Sequence, residues 1–124
     1  MNIMGFVNGK LEAANVPYEY GEWSSTVTYP YFVGSYADID YRYEDECTIG
    51  QFTIDGWARG SAAKYELIQQ QEIMKRLFSD LQEIVDDTCY FIRYGGFQPI
   101  PTGEKELSRI QITLYTYFWK GIEE

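Results

Sequence analysis

The sequence predicts an α+β domain in which one mostly antiparallel four-stranded sheet packs on a long amphipathic helix. The length of 124 residues is near the commonest size of a single domain. Residues 61–87 form the only long segment with a helical period, and β-branched and aromatic residues are frequent in the segments on both sides of it. We therefore expect the order α-β-β-α-β-β.

Residues 1–25 are predicted to form a short helix and a connector. Met4, Val7 and Leu11 share one helical face, and Pro17 ends the helix because proline disfavours a helical conformation in the residue before it. We expect the connector, residues 18–25, to be extended or looped. Residues 1–5 lack a basic region followed by an apolar core, so we expect no secretory signal.

Residues 26–60 are predicted to form the first hairpin, with strands over residues 26–40 and 48–59. Pro30 has no main-chain N–H, so it marks a strand start or an edge position. Gly34 marks a bulge or a close approach of another backbone. The stretch 38–46 is the most acidic part of the chain and is predicted to be a solvated turn or strand end.

The helix is predicted over residues 61–88, which would span about 40 Å if helical throughout. Ser61 is the predicted N-cap, because its hydroxyl can accept a hydrogen bond from a free N–H of the first turn. The apolar stripe that faces the sheet comprises Leu67, Met74, Phe78, Leu81 and Val85.

Residues 89–120 are predicted to form the second hairpin, with strands over residues 89–94 and 107–119 and a loop over residues 95–105. Ile110, Ile112 and Leu114 alternate with polar and aromatic residues, which predicts that one face of the last strand packs on the helix. Long loops are often functional, so residues 95–105 are a candidate docking segment.

The composition argues against catalysis. The chain contains no histidine, the commonest general base and metal ligand, and Cys47 and Cys89 lack a metal-binding spacing. Acidic pairs such as Asp86 and Asp87 are adjacent in sequence, whereas catalytic carboxylates must converge from different elements. We therefore predict that the protein is not an enzyme and has no catalytic residues, no cofactor and no metal site.

The charge and the aromatic content favour protein partners over nucleic acid. A net charge of −9 repels a phosphate backbone, and no apolar run is long enough to span a membrane. Twelve Tyr, seven Phe and three Trp are more bulky rings than a core of this size can bury. We predict that many of these rings lie at interfaces.

Three motifs carry a resemblance to a known family. They are VPYEY over residues 16–20, YPYFVG over residues 29–34 and FTIDGWAR over residues 52–59, followed by an amphipathic helix and two further strands. With this order of elements, the chain resembles the tail terminator, or tail-completion, proteins of long-tailed bacteriophages and prophages. The resemblance implies a small α+β subunit of a ring, a hexamer, that caps the tail tube and docks to the head connector.

The resemblance also implies a location and a set of partners. The protein would belong to the virion tail or neck and would be in the host cytoplasm during assembly. Its partners would be copies of itself, the tail tube protein and the head-tail connector protein, with no membrane, and DNA would pass through without specific binding. The candidate interface residues are Tyr29, Tyr31, Trp57, Arg59, Phe97, Tyr115, Tyr117 and Trp119.

An acidic channel would repel the passing DNA. We expect such a channel to be lined by the acidic face of the helix or by acids of the stretch 38–46, namely Asp38, Asp40, Glu44, Asp45 and Glu46.

Two alternatives remain open. The chain can be a small α+β module that binds a small molecule or a peptide in a pocket between sheet and helix, lined by Tyr and Trp. It can also be another neck or minor tail component of a phage. A monomer in solution with a deep aromatic pocket would favour the binding module.

Overall fold

A computed structural model describes residues 2–23 and 26–120 of the chain. Within these residues, two helices and six strands follow one another in the order α1-β1-β2-β3-α2-β4-β5-β6. The helices are α1 (Ile3–Ala13) and α2 (Ala63–Phe78). The strands are β1 (Tyr18–Tyr20), β2 (Tyr31–Arg42), β3 (Cys47–Arg59), β4 (Leu81–Val85), β5 (Thr88–Ile100) and β6 (Leu107–Lys120).

The strands form one curled, half-barrel sheet in the order β1-β2-β3-β6-β5-β4. β1 lies parallel to β2, and each of the other neighbouring pairs is antiparallel. Strand makes up 51% of the described residues, so the sheet rather than a helix dominates the architecture. The predicted fold, a four-stranded sheet on one long helix, is therefore wrong.

The helix predicted over residues 61–88 is much shorter in the structure. α2 has 16 residues and spans about 24 Å, not 40 Å. The residue before its first turn is Ala62, which makes no side-chain cap, so the predicted N-cap at Ser61 is also wrong. The apolar stripe predicted for the helix is therefore divided between α2 and the strand that follows it.

Acidic residues in left-handed conformations change the direction of the chain after α2. Asp80 (φ 52) follows the last turn of the helix and lets the backbone enter β4. Asp86 (φ 49) and Asp87 (φ 65) form the two-residue turn between β4 and β5, where Val85 pairs with Thr88. Because both turn residues have positive φ, the connection has the twist that a tight hairpin needs.

Two further segments differ from the predictions. The connector contains the short strand β1, and its residues 24 and 25 lie outside the described part of the chain. The segment predicted as a loop over residues 95–105 continues β5 as far as Ile100, with a register shift between Tyr94 and Gly96. The first long strand begins at Tyr31 rather than at residue 26.

Both helices cover the same face of the sheet. The Phe6 ring of α1 stacks on the Tyr90 ring of β5 with centroids 4.5 Å apart, and Gln71 of α2 donates a hydrogen bond to the hydroxyl of Tyr94 at 2.5 Å. Tyr90 and Tyr94 point to one side of β5, because alternate residues of a strand share a face. The core therefore lies between the helices and this face, and it includes Phe32, Phe52, Ile54, Leu67, Met74, Phe78, Ile92, Ile112 and Leu114.

Glycines on this face make room for rings that lie flat across the strands. The ring of Phe32 in β2 lies over Gly56 of β3, where an added Cβ would come within 2.2 Å of it. The ring of Tyr36 occupies the same kind of space over Gly50, with 2.1 Å to an added Cβ. A glycine normally weakens a strand, and at these two positions close packing of the rings offsets that cost.

We predict that Gly56→Ala lowers the free energy of unfolding by about 1–3 kcal/mol, because the buried Phe32 ring must move to admit the methyl group. Gly9→Ala is the matched control: nothing lies within 4 Å of an added Cβ in α1, so alanine should stabilise the helix by up to about 1 kcal/mol. Urea denaturation of both variants tests this, and equal stability of Gly56→Ala and the wild type would contradict the packing argument.

Candidate interaction surface

The face of the sheet opposite the helices carries partly exposed aromatic and charged side chains. We call it the open face, because no helix among the described residues covers it. The strand registers place Trp57 opposite Arg109 and Tyr117 opposite Phe91, so these side chains share this face. Further members are Tyr31, Asp55, Arg93, Gln111, Tyr115 and Trp119.

One end of the open face holds an aromatic stack made of Trp23, Tyr31, Trp57 and Arg109. The ring centroids of Trp23 and Tyr31 are 5.0 Å apart, and those of Tyr31 and Trp57 are 5.2 Å apart at an interplanar angle of 18°. The Arg109 guanidinium carbon lies 5.1 Å from the Trp57 ring centroid, which is a cation–π distance. The stack therefore joins the segment before β2 to β2, β3 and β6.

Tyr29 and Arg59 extend this stack at its edge. The Tyr29 and Tyr31 ring centroids are 5.6 Å apart, and the Arg59 guanidinium carbon lies 5.7 Å from the Tyr29 ring centroid. Desolvation, with the nearby Tyr29 hydroxyl, raises the pKa of Tyr31. Hydrogen bonds to the Tyr29 hydroxyl and to Glu104, which lies 3.2 Å away, raise the pKa of Arg59.

A polar network lies beside the stack. Arg109 donates from Nη2 to Asp55 Oδ1 at 2.8 Å, and Gln111 donates to the same oxygen at 3.3 Å. Gln98 of β5 lies 3.4 Å from the side-chain oxygen of Gln111. Arg109 is therefore held by a carboxylate on one side and by an aromatic ring on the other, which fixes its position on the open face.

The other end of the open face carries a second aromatic patch. Tyr117 and Phe91 have ring centroids 5.8 Å apart, and with Trp119, Arg42 and Arg93 they surround a shallow pocket of about 250 Å³. Tyr115 lies between the two ends, in register with Gln51 and Arg93. The interface candidates on β6 thus share one surface with the stack.

Phe97 is the interface candidate that lies elsewhere. It pairs with Ile112, a core residue, so it belongs to the helix-covered face. There it lines a cleft of about 760 Å³ between α2 and the β5–β6 connection. Among the described lining residues of this cleft there is no Tyr or Trp, whereas the sequence predicted a pocket rich in both.

The predicted channel acids lie on the β2–β3 hairpin, where residues 37–46 are all exposed. Asp38 accepts a hydrogen bond from the Tyr36 hydroxyl at 2.7 Å. The pKa of Tyr36 is raised, mainly by burial of the hydroxyl and in addition by this hydrogen bond. Asp45 pairs with Arg42 at 2.5 Å and raises the pKa of that guanidinium. Asp40 accepts a hydrogen bond from the main-chain N–H of Tyr41, while Glu44 and Glu46 lie in the turn.

The structure brings together some of the predicted residues and adds others. Tyr29, Tyr31, Trp57 and Arg59, four of the predicted interface residues, form one cluster. Trp23 and Arg109 also belong to the cluster but are not among the predicted interface residues, although Trp23 lies in the aromatic connector. Arg109 could not be found from sequence, because its contact with Trp57 requires the β3–β6 register.

Within residues 2–23 and 26–120, no group of three or more His, Cys, Asp or Glu side chains could hold a metal ion. In the same described ranges, no helix has the length and apolar character needed to cross a membrane. Cys47 is buried and Cys89 is partly buried, and neither forms a disulfide.

A scan against protein-family models finds no family that matches the chain, and a search of curated proteins finds no match either. The likeness to tail terminator proteins therefore remains a prediction that rests on the three sequence motifs.

We predict that Arg109→Met lowers the free energy of unfolding by about 1–3 kcal/mol, because it removes a charge-assisted hydrogen bond to Asp55 and a contact with the Trp57 ring. Arg76→Met, an exposed change on α2, is the control and should alter stability by no more than about 0.5 kcal/mol. Thermal and urea unfolding measure both variants, and equal effects would show that Arg109 is not held as described.

Proposed function

We propose that the protein is a structural subunit of a long-tailed phage or prophage virion, which caps the tail tube as a ring and joins the tail to the head connector. The observation that carries the proposal is the open face, where partly exposed Tyr, Trp and Arg side chains spread over β3, β5 and β6. These residue types are enriched in protein–protein interfaces. A ring subunit needs such surfaces, because each copy contacts two neighbours.

The edges of the sheet support the same proposal. β1 pairs with β2 only over Phe32–Gly34, and β4 pairs with β5 only over Thr88–Ile92. Residues 35–42 and 93–100 thus have no strand partner on their outer side among the described residues. The two open edges lie on opposite sides of the sheet and differ from each other, which suits a head-to-tail contact between copies.

The remaining parts of the proposal come from the sequence resemblance. The ring is a hexamer, its partners are the tail tube protein and the head-tail connector protein, and it resides in the virion after assembly in the host cytoplasm. DNA passes through the channel without specific binding. The acids that would repel it are Asp38 and Asp40 on the exposed part of β2, with Glu44, Asp45 and Glu46 in the hairpin turn.

A second candidate function is favoured by the cleft next to α2. Its volume of about 760 Å³ falls in the range of small-molecule pockets, and its lining is mainly apolar, with Lys64 and Lys105 among the lining residues. A protein that stays monomeric and binds a small molecule or a peptide there would be a binding module. Assembly and ligand binding therefore distinguish the two functions.

Mass determination by sedimentation velocity tests the ring proposal. The protein is measured alone and with purified tail tubes that lack a terminal cap. The proposal predicts an oligomer in at least one of the two samples. The sample with tail tubes is needed because a tail terminator subunit can depend on the end of the tube for its assembly. A protein that remains monomeric alone and does not bind the tubes would contradict the proposal.

We predict that Tyr115→Lys weakens assembly about tenfold or more, because it places a charge in the middle of the proposed contact surface. Tyr65→Lys is the matched control, since Tyr65 is 66% exposed on α2, away from the open face. Both proteins should fold, as circular dichroism can verify. If the two variants assemble equally well, the open face is not a contact surface between copies.

We predict that the double change Asp38→Lys, Asp40→Lys raises the affinity of the assembled protein for double-stranded DNA about tenfold at low salt and makes binding more salt-dependent. The reason is that two negative charges per subunit are replaced by two positive charges in the proposed channel, a net change of +4. Fluorescence anisotropy with a labelled duplex measures the effect. The control is the double change Glu72→Lys, Lys75→Glu on α2, which leaves the net charge unchanged. If the Asp38 and Asp40 variant binds the duplex no more tightly than this control, the proposed acidic channel is contradicted.

A further inference from the structure

We propose that the tip of the β2–β3 hairpin, residues 43–46, inserts Tyr43 into the cleft beside α2 of a second copy of the chain. This contact between neighbouring copies is additional to the one proposed for the open face. It rests on the proposed function only for its closure into a ring. It follows from the shape, the charge and the relative placement of the two surfaces.

The hairpin tip presents an exposed aromatic knob. Tyr43 is 84% exposed, and its ring lies edge-on to the Tyr41 ring with centroids 4.9 Å apart. An exposed Tyr at a hairpin tip combines a large apolar ring with a polar hydroxyl, which suits insertion into an apolar pocket with a polar rim.

The tip is also negatively charged. Arg42 is neutralised by Asp45, with which it forms an ion pair at 2.5 Å. Glu44 and Glu46 form no ion pair among the described residues, and both are exposed. After the internal pair is discounted, the tip therefore carries two uncompensated carboxylates beside the Tyr43 ring.

The cleft has the complementary properties. Leu67 and Ile110 are buried at its base, and Ile68 and Phe97 at its mouth are 37% and 39% exposed. Its volume of about 760 Å³ can accept a Tyr side chain together with part of a hairpin turn.

The charges of the cleft lining are positive on balance. Lys64 and Lys105 line the cleft and form no ion pair among the described residues. Of the other charged lining residues, Glu104 pairs with Arg59, and Arg109 pairs with Asp55 through a side chain that lies on the open face. Two free ammonium groups therefore face a tip with two free carboxylates, although the protein as a whole is strongly acidic.

The occupant must come from another molecule, because the tip and the cleft lie at opposite ends of the same sheet. β3 has 13 residues and begins at the hairpin tip with Cys47. It ends at Arg59, which pairs with Leu107 at the cleft. A strand of this length separates the two surfaces by roughly 40 Å, so a tip cannot reach its own cleft.

The contact joins different surfaces of the two copies, so it is head-to-tail. Repetition of such a contact produces a closed ring or an open filament, depending on the rotation between copies. In a ring, this contact places the tip acids Glu44, Asp45 and Glu46 between subunits, so it restricts the proposed channel lining to two of the five acids. The channel-lining role then remains with Asp38 and Asp40, which lie before the tip on β2.

Charge exchange tests the contact directly. Two double variants reverse the charges on one side of the contact each: Glu44→Lys with Glu46→Lys, and Lys64→Glu with Lys105→Glu. Each double variant should weaken self-association about tenfold or more, as measured by sedimentation velocity at low salt. A chain that carries all four changes should associate as the wild type does, because the complementary charges are restored with reversed signs. These side chains are exposed, so the monomer should keep its fold and its circular dichroism spectrum.

Truncation of the knob gives a second, independent measurement. Tyr43→Ala should weaken self-association about tenfold or more, whereas Tyr65→Ala, an exposed change on α2 outside the cleft lining, should have no effect. Rescue by the four-fold exchange together with a loss for Tyr43→Ala supports the contact.

The outcomes separate this contact from the proposed function. If the wild type forms rings and the Tyr43 and charge variants form them equally well, the contact is overturned and the ring function stands. If the wild type forms open filaments that depend on Tyr43, the contact is supported and the ring function is contradicted. The absence of any self-association up to about 1 mM protein overturns the contact.

Discussion

The structure depends on close packing of aromatic rings over glycines in neighbouring strands. Phe32 lies over Gly56 and Tyr36 lies over Gly50, so the rings occupy space that side chains would fill in an ordinary sheet. Strand glycines and bulges are the features that allow a sheet to curve. The curled sheet can then close around a core that both helices share, with Phe52 and Ile54 fully buried in it.

This arrangement leaves many aromatic side chains outside the core. Tyr90 is buried, whereas Tyr20, Tyr29, Tyr41, Tyr43 and Tyr65 are exposed and the three Trp residues are partly exposed. A single subunit therefore does not conceal its rings. The open face and the hairpin tip together offer different surfaces on different sides of the molecule, which is the requirement for an assembly built from head-to-tail contacts.

The sequence allowed some elements to be predicted because one signal dominated each of them. Alternation located β3 and β6, in which Ile54, Ile112 and Leu114 face the core. The prediction of a long helix was wrong because Leu81 and Val85 are four residues apart, and this spacing fits both a helical turn and one face of a strand. The left-handed conformations of Asp86 and Asp87 have no strong sequence signal, so the β4–β5 hairpin was missed. On the open face, Trp57 and Tyr31 were identified by residue type, whereas Arg109 required knowledge of strand pairing.

Electron cryomicroscopy of the assembled protein tests most directly whether neighbouring copies cover the open face. The account predicts a closed ring in which Tyr115, Tyr117 and Trp119 lose most of the solvent exposure that they have in one subunit. A reconstruction in which these side chains face bulk solvent, with the copies joined only through the outer surfaces of the helices, would contradict it.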